Sequence, residues 1–153
     1  MKNHITGHAS IIIDAPKEKV WEALTRPELI KQYFFGTDTH TDWKPGSPIR
    51  FTGEWQGKKY EDKGTVLSAD TNRLLRYEYW SSMSGIEDLP ENYVIVTYEL
   101  EEKGEGVTEL SITQENIPTE QMREHSEQNW NKVLEGLKAM LEKDKTAYGT
   151  FYL

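Results

Sequence analysis

The chain of 153 residues carries a formal net charge of −8, has no cysteine, and 29% of its residues are charged. That length suits one domain with a core of its own, and the lack of cysteine excludes disulfides, thiolate metal sites and cysteine nucleophiles. The acidic charge is dispersed, which argues against nucleic acid and anionic membrane as partners, because phosphate binding needs clustered Lys and Arg.

Met1 leads into Lys2-Asn3-His4-Ile5 with no apolar run of the length a signal peptide or membrane span requires, so a soluble, cytoplasmic protein is expected. Residues 4–14 alternate as a strand, with Ile5, Ala9, Ile11 and Ile13 on one side. His4 and His8 share the other side. With no third ligand nearby they read as exposed strand residues rather than a metal pair. Asp14-Ala15-Pro16 ends the strand and opens a helix whose apolar face is Val20, Trp21 and Leu24. Thr25-Arg26-Pro27 breaks that helix, and a short second one carries Leu29, Ile30, Tyr33 and Phe34 at helical spacing. Tyr33-Phe34-Phe35-Gly36 reads either as packing for the helix pair or as the rim of a pocket.

From residue 37 to residue 116 the pattern is strand and turn. Residues 37–43 form the weakest candidate, and Lys44-Pro45-Gly46 is a strong turn. Ile49, Phe51, Gly53 and Trp55 then share one strand face. Gln56-Gly57-Lys58 makes a hairpin to a strand presenting Tyr60, Asp62, Gly64 and Val66. After Asp70-Thr71-Asn72 come Leu75, Tyr77 and Tyr79 on one face. Residues 81–91 are the longest loop, a length that in compact domains marks a functional or mobile segment. Val94, Val96, Tyr98 and Leu100 resume the alternation, followed by Leu110, Ile112 and Gln114. Such a curved antiparallel sheet must bury its concave face, and only the last helix is long enough to fill it.

That helix spans about residues 119–145. At 100° per residue, Met122, Ser126, Asn129, Trp130, Val133, Leu137, Met140 and Leu141 form one stripe. The stripe is wholly apolar from Val133 onward, but Ser126 and Asn129 interrupt it before Trp130. One half of the helix is therefore expected to be packed and the other to face a cavity. Residues 1–146 read as a single domain and residues 147–153 as a C-terminal tail.

No phosphate-binding loop, paired metal-binding histidines or Gly-x-Ser-x-Gly element occurs. Asp62 reads as a buried acid–base group or as a carboxylate left in solvent at the Gly64 bend. His125, at the margin of the stripe, reads as a general base or as a surface histidine. The inward positions Phe51, Trp55, Tyr60, Tyr77, Tyr79, Val96, Tyr98, Ile112, Gln114, Met122, Ser126, Asn129 and Trp130 make a mainly aromatic lining with a few hydroxyls and amides. That is the chemistry of a small-molecule pocket, and several tyrosine hydroxyls on one concave face are hard to satisfy in a dry core. Tyr33 and Val133 complete the expected ligand-binding set. Neither a metal nor a cofactor is required.

Ile13-Asp14-Ala15-Pro16, Val20-Trp21-Glu22-Ala23-Leu24-Thr25 and Pro27-Glu28-Leu29 recur in a family pattern. So do Pro45-Gly46, Gly64-Thr65-Val66, Arg73-Leu74 and Asn129-Trp130-Asn131-Lys132-Val133-Leu134 with Leu137. Over about residues 8–143, in that order and spacing, the chain resembles the SRPBCC superfamily of START and birch-pollen-allergen-like proteins. Within it, the chain resembles the family named after the C-terminal domain of the activator of the heat-shock-protein-90 ATPase. The resemblance implies an α+β helix-grip fold: a curved antiparallel sheet of about six to seven strands wrapped around a long C-terminal helix, with two short helices between strands 1 and 2. The family often has Trp where Tyr33 stands and Gly where Asn129 stands, so its ligands do not carry over. The eukaryotic co-chaperone has a further N-terminal domain without a counterpart in these residues, so the resemblance alone does not imply chaperone activation.

The leading expectation is binding of a small, largely apolar molecule, aromatic or lipid-like, between sheet and helix. Two alternatives stand beside it. One is a cyclase, hydratase or hydrolase using His125 or Asp62. The other is a chaperone-associated stress-response module with an apolar patch built from residues 33–35 and the 81–91 loop.

Overall fold

The computed structural model describes residues 5–152, with side chains described as far as residue 143. His4 lies outside that range. Two-residue alternation makes β1 (Ile5–Ile13) a strand, with Ile13 buried and Ile12 exposed. Pro16 caps α1 (Lys17–Thr25) in extended geometry, and the helix buries Val20, Ala23 and Leu24. Arg26 ends α1 and caps α2 (Pro27–Tyr33), which places Pro27 in the first turn, where its missing N–H costs nothing.

Six strands follow: β2 (Asp38–His40), β3 (Pro48–Trp55), β4 (Lys58–Asp70), β5 (Leu74–Trp80), β6 (Val94–Gly104) and β7 (Val107–Ile117). Gln56 and Gly57 both have positive φ, as a two-residue β3–β4 hairpin requires. β2 is shorter than the alternation suggested. Trp43 adopts a positive φ, and its indole N–H donates to the Thr25 carbonyl at 2.6 Å, which draws this segment to α1 and away from the sheet. All neighbouring strands are antiparallel, in the order β1-β7-β6-β5-β4-β3-β2. A bulge between Val66 and Ser68 bends β4. Gly64 lets β5 come close there: a Cβ at that position would run into the backbone of Glu78 and Tyr79.

The long helix α3 (Glu120–Tyr152) completes the helix-grip fold. Its helical span includes residues 147–152, which the sequence suggested as a tail; no proline intervenes to stop it. Trp130, Val133, Leu134 and Leu137 are buried, so the packed half of α3 presents a wider face than the single stripe. Leu134, outside that stripe, is 1% exposed. The helix is wedged at this point: it meets β1 on one side and α1 and α2 on the other. Gly136 makes room for α2, since a Cβ there would sit 3.4 Å from the Cβ of Tyr33. Each fully buried leucine contributes about 1.5–3 kcal/mol.

β1 lies at an edge of the sheet, and α3 covers that edge with polar side chains. Glu127 Oε2 accepts the His8 backbone N–H at 2.9 Å, and Glu142 Oε2 accepts that of Asp14 at 2.8 Å. Lys138 Nζ donates to the Ile12 carbonyl at 2.8 Å and to Glu142 at 2.6 Å. Arg123 holds Glu127 from the previous turn at 2.7 Å. Three of the edge groups that would otherwise template another strand are thereby occupied, and the helix is fastened along β1. Gly7 permits the approach, because a Cβ there would sit 3.4 Å from Glu127 Cγ.

The carboxyl of Glu127 is held below its ordinary 4.5, chiefly by the His8 N–H; that of Glu142 is held below by Lys138 and then by the Asp14 N–H. A depressed folded value contributes stability that is complete above the unfolded pKa and is lost as pH falls through the folded one. Glu127→Ala is expected to cost about 1 kcal/mol in urea unfolding at neutral pH. The Glu127→Ala/Glu142→Ala double variant should lose less stability than the wild type between pH 6 and pH 3. Equal losses would show that these carboxylates do not seal the edge.

Candidate functional site

Beneath the first half of α3, strands β3, β5 and β6 present aromatic rings that close into a circuit with the helix. Phe51 lies 5.6 Å from Tyr77, Tyr77 5.8 Å from Tyr98, and Tyr98 5.9 Å from Trp130, measured between ring centres. Trp130 lies 5.8 Å from Phe34, which stacks on Phe51 at 6.3 Å and closes the ring. Tyr79 leans on Phe51 and Tyr77 at 6.2 and 6.0 Å. Edge-to-face pairs of this kind are worth about 0.5–1.5 kcal/mol beyond the area they bury.

The polar ends of Tyr77, Tyr98, Tyr33 and Trp130 are satisfied within the protein. Tyr77 and Tyr98 share a hydrogen bond between hydroxyls at 3.0 Å, and Tyr33 donates to the Ala23 carbonyl at 2.7 Å. The Trp130 indole N–H donates to Gln114 Oε1 at 2.7 Å in a buried setting. Because an indole can only donate, this bond fixes the Gln114 amide with its oxygen toward Trp130 and leaves its NH2 as a donor toward the cleft. Burial raises the Tyr77 hydroxyl well above its ordinary value, and burial followed by the charge of Asp62 pushes Tyr79 up to about 12. At neutral pH both are therefore uncharged hydroxyls.

Three adjoining cavities open between these rings and α3. The first, about 430 Å³, is lined by Phe34, Phe35, Thr37, Phe51, Trp55, Tyr60, Asp62, Tyr77, Tyr79, Ser81, Met83, His125 and Asn129. The second, about 400 Å³, runs under the 81–86 loop to Gln114, Met122 and Ser126. The third, about 120 Å³, lies against Gln114, Ser126, Asn129, Trp130 and Val133. Tyr79 and Asn129 belong to the walls of all three, so sheet and helix face each other across one partitioned cleft. Volumes of a few hundred Å³ suit a small organic molecule.

Of the residues singled out from the sequence, Phe51, Trp55, Tyr60, Tyr77, Tyr79, Gln114, Met122, Ser126, Asn129, Trp130 and Val133 line these cavities. Tyr33, Val96, Tyr98 and Ile112 do not; they are packed behind the lining, Val96 and Ile112 almost wholly enclosed. Tyr33 is drawn away by its hydrogen bond to α1, and Tyr98 by its hydrogen bond to Tyr77 and its edge-to-face contact with Trp130. Trp55 stands half exposed on the rim, beside the turn of its hairpin.

Phe34 and Phe35, whose place was left open between packing and rim, do both: Phe34 joins the aromatic circuit, while Phe35 is 49% exposed with a positive φ. The Gly36 that follows also has positive φ, and this left-handed pair turns the chain sharply out of α2. The 81–91 loop supplies Ser81, Met83, Ser84 and Ile86. It is pinned rather than loose. The Trp80 indole donates to the Ile86 carbonyl at 2.8 Å, and Lys63 and the Tyr93 hydroxyl bind Asp88 at 2.6 and 2.7 Å. Its length was the only sequence signal; nothing in its composition ties it to this cleft.

Both acid–base candidates reach the first cavity. His125 is exposed at the mouth. Asp62 is half-buried, and Ser82 donates to its Oδ1 from both backbone N–H and hydroxyl at 2.9 and 3.3 Å. Burial raises the Asp62 pKa against those donors. No hydrogen bond links Asp62 to His125, and among the described residues no three His, Asp or Glu side chains are arranged to hold a metal ion. No helix of the described residues is long and apolar enough to cross a membrane.

The family model described as "Activator of Hsp90 ATPase homolog 1-like protein" matches residues 14–142. The solution structure of a protein from Cytophaga hutchinsonii is 48% identical, with coverage of 95% of this chain and 99% of that one and a TM-score of 0.80. Two structures of lower identity share the fold. The Aha1 dimer from Colwellia psychrerythraea is 22% identical and an HSP90 activator from Plasmodium falciparum 18%. In each case 90% of this chain and 96% of that one are covered, at a TM-score of 0.70. No curated protein matches this chain.

Gln114→Leu strands the Trp130 indole N–H in a buried site and is expected to cost about 1–3 kcal/mol. Trp130→Phe removes the donor as well, so the double variant should lose less than the two single variants added together. Additive losses in chemical denaturation would mean that this hydrogen bond does not couple helix to sheet.

Proposed function

We propose a ligand-binding role for a chain whose lineage is shown: it belongs to the family of activator of Hsp90 ATPase homolog 1-like proteins, within the SRPBCC superfamily. The ligand is a small, largely apolar molecule with an aromatic or similarly flat body, held between the sheet and the first half of α3. The observation that carries this reading is the contrast along one helix. From Val133 to Leu137 the inward side chains are buried, whereas Asn129 faces a cavity walled by Phe51, Tyr77 and Tyr79, and Ser126 faces the adjoining ones walled by Tyr79 and Gln114. A helix that only sealed a core would gain from apolar groups at both positions. Here Ser126 and Asn129, with the free NH2 of Gln114, supply a few convergent polar groups on an aromatic wall, the pattern that orients a ligand.

The rings of the aromatic circuit already brace one another, so a ligand against them leaves few of these side chains to be ordered on binding. Trp130 serves both halves: its ring packs on Tyr98 and Phe34, and its edge borders the smallest cavity. The half-exposed Phe35, Trp55 and Met83 form an apolar approach to the first cavity.

A second reading is association with a chaperone. It is supported by membership of a family named for Hsp90 ATPase activation and by the fold shared with an HSP90 activator from Plasmodium falciparum, together with the exposed Phe35, Met83 and Leu89. Stimulation of a chaperone ATPase by the purified chain would support it, and no stimulation together with no capture would refute it.

The ligand reading is tested by titrating the 15N-labelled protein with small aromatic compounds and mapping the shifted amides. Shifts are expected at Tyr79, Ser126 and Asn129. Ser126→Ala should weaken binding while changing stability by no more than about 0.5 kcal/mol. Trp130→Ala should weaken binding and also cost about 3–5 kcal/mol of stability. Shifts confined to residues outside the cleft would overturn the reading.

A further inference from the structure

Asp62 ties the start of the 81–91 loop to β4 through Ser82, and it also faces a cavity. It lies on the apolar side of β4, directly across from Phe51 in the β3–β4 pairing, and forms part of the wall of the first cavity. Oδ1 accepts both the Ser82 N–H and the Ser82 hydroxyl, and the Ser81 side chain is a third donor to the carboxylate. An ionised carboxylate has room for about four such bonds, so acceptor capacity remains. These partners are donors, and donors stabilise the ionised form against the opposing effect of burial.

The countercharge is missing. Among the described residues no Lys or Arg pairs with Asp62. The nearest in sequence, Lys63, is bound to Asp88 at 2.6 Å, and Arg50, on the neighbouring strand, is bound to Glu61 at 2.6 Å. Both sit at exposed positions that alternate with the cavity-facing ones. Apart from the tyrosines, the other acid–base side chain on this cavity's wall is His125, which stands on α3 at the exposed mouth. A half-buried carboxylate without a cation is unfavourable when the cavity holds only apolar matter. Around it stand the rings of Phe51, Tyr60 and Tyr79, whose faces attract positive charge.

Resting on the cleft being a ligand site, we propose that the first cavity takes a ligand with a cationic nitrogen, an arylalkyl-ammonium, whose charge sits on Asp62 and whose aromatic body lies against Phe51 and Tyr79. Ammonium donors would fill the open acceptor positions of the carboxylate. The surrounding rings would face the remaining charge, and Asn129 would close the site from the helix side. The net charge of −8 favours approach of cations and disfavours anions of the same shape.

The test uses three compounds of similar size: 2-phenylethylamine as its ammonium ion, 2-phenylethanol, and 3-phenylpropanoate. Each is titrated into wild-type protein and into Asp62→Asn, with amide shifts read by NMR at neutral pH. Asn retains an acceptor for the Ser82 N–H, and thermal unfolding checks that the variant folds. In the wild type the ammonium compound is expected to bind at least about tenfold tighter than the alcohol, a difference of about 1.4 kcal/mol, with the carboxylate weakest. Asp62→Asn should erase that advantage while leaving the affinity for the alcohol within about twofold.

If the alcohol shifts Phe51 and Tyr79 and binds as well as the ammonium ion, the cation preference is wrong and the cleft remains a ligand site. An ammonium affinity unchanged in Asp62→Asn also overturns the proposal, since the binding then belongs to the acidic surface. If no compound shifts the cleft, both readings fall. Should Asp62→Asn not fold, the order of the three compounds in the wild type decides alone.

Discussion

Everything that distinguishes the two halves of the long helix depends on how that helix is fastened to the first strand. An edge strand exposes a ladder of unpaired backbone groups, and α3 answers it with side chains rather than with another strand. Glu127, Lys138 and Glu142 recur at helical spacing and bind the backbone of His8, Ile12 and Asp14. The bonded groups are two donors and one acceptor, so the carboxylates and the ammonium of the helix match the polarity of the edge at three points. These bonds fasten the helix along β1, and its other faces are turned toward the core and the sheet. Val133 and Leu137 are carried into the core, Leu134 into the wedge between β1 and α1, and Ser126 and Asn129 over the open bowl of the sheet.

The bowl stays open for reasons that lie in the sheet. Gly64 and the bulge after Val66 let β4 bend toward β5, which brings Asp62, Tyr79 and Phe51 around one space. On the far side, Phe35 and Gly36 turn the chain out of α2 with two successive positive φ angles, leaving an aromatic ring at the mouth rather than in the core. Trp130 is the hinge of the arrangement. Its ring completes the aromatic circuit, and its N–H is bound to Gln114 on β7, so the boundary between filled and open regions is held by a directional bond as well as by packing.

Much of the fold was legible from local patterning. Two-residue alternation located the strands because one face of each is buried, and the proline and glycine positions marked the turns. The mixed stripe of Met122, Ser126, Asn129 and Trp130 marked the helix half that faces a cavity. Periodicity could not tell which inward residues would touch that cavity. Tyr33, Tyr98, Val96 and Ile112 share strand or helix faces with lining residues and nevertheless lie behind them. Depth along a curved sheet is a property of the whole sheet, not of any one strand. The same limit hid Leu134, whose burial comes from the convergence of β1, α1 and α2 on α3.

By itself, then, the sequence determined the order of elements, the single core and the division of the last helix. Those depend on residue spacing and on contacts between near neighbours in the chain. Only the tertiary structure decided that the 81–91 loop and Phe35 border the cleft, that Asp62 stands there without a countercharge, and that Gln114 is committed to Trp130. Each of those facts joins residues far apart in the chain through the bend of the sheet and the fastening of the helix along β1. No periodicity within a single segment records such a relation.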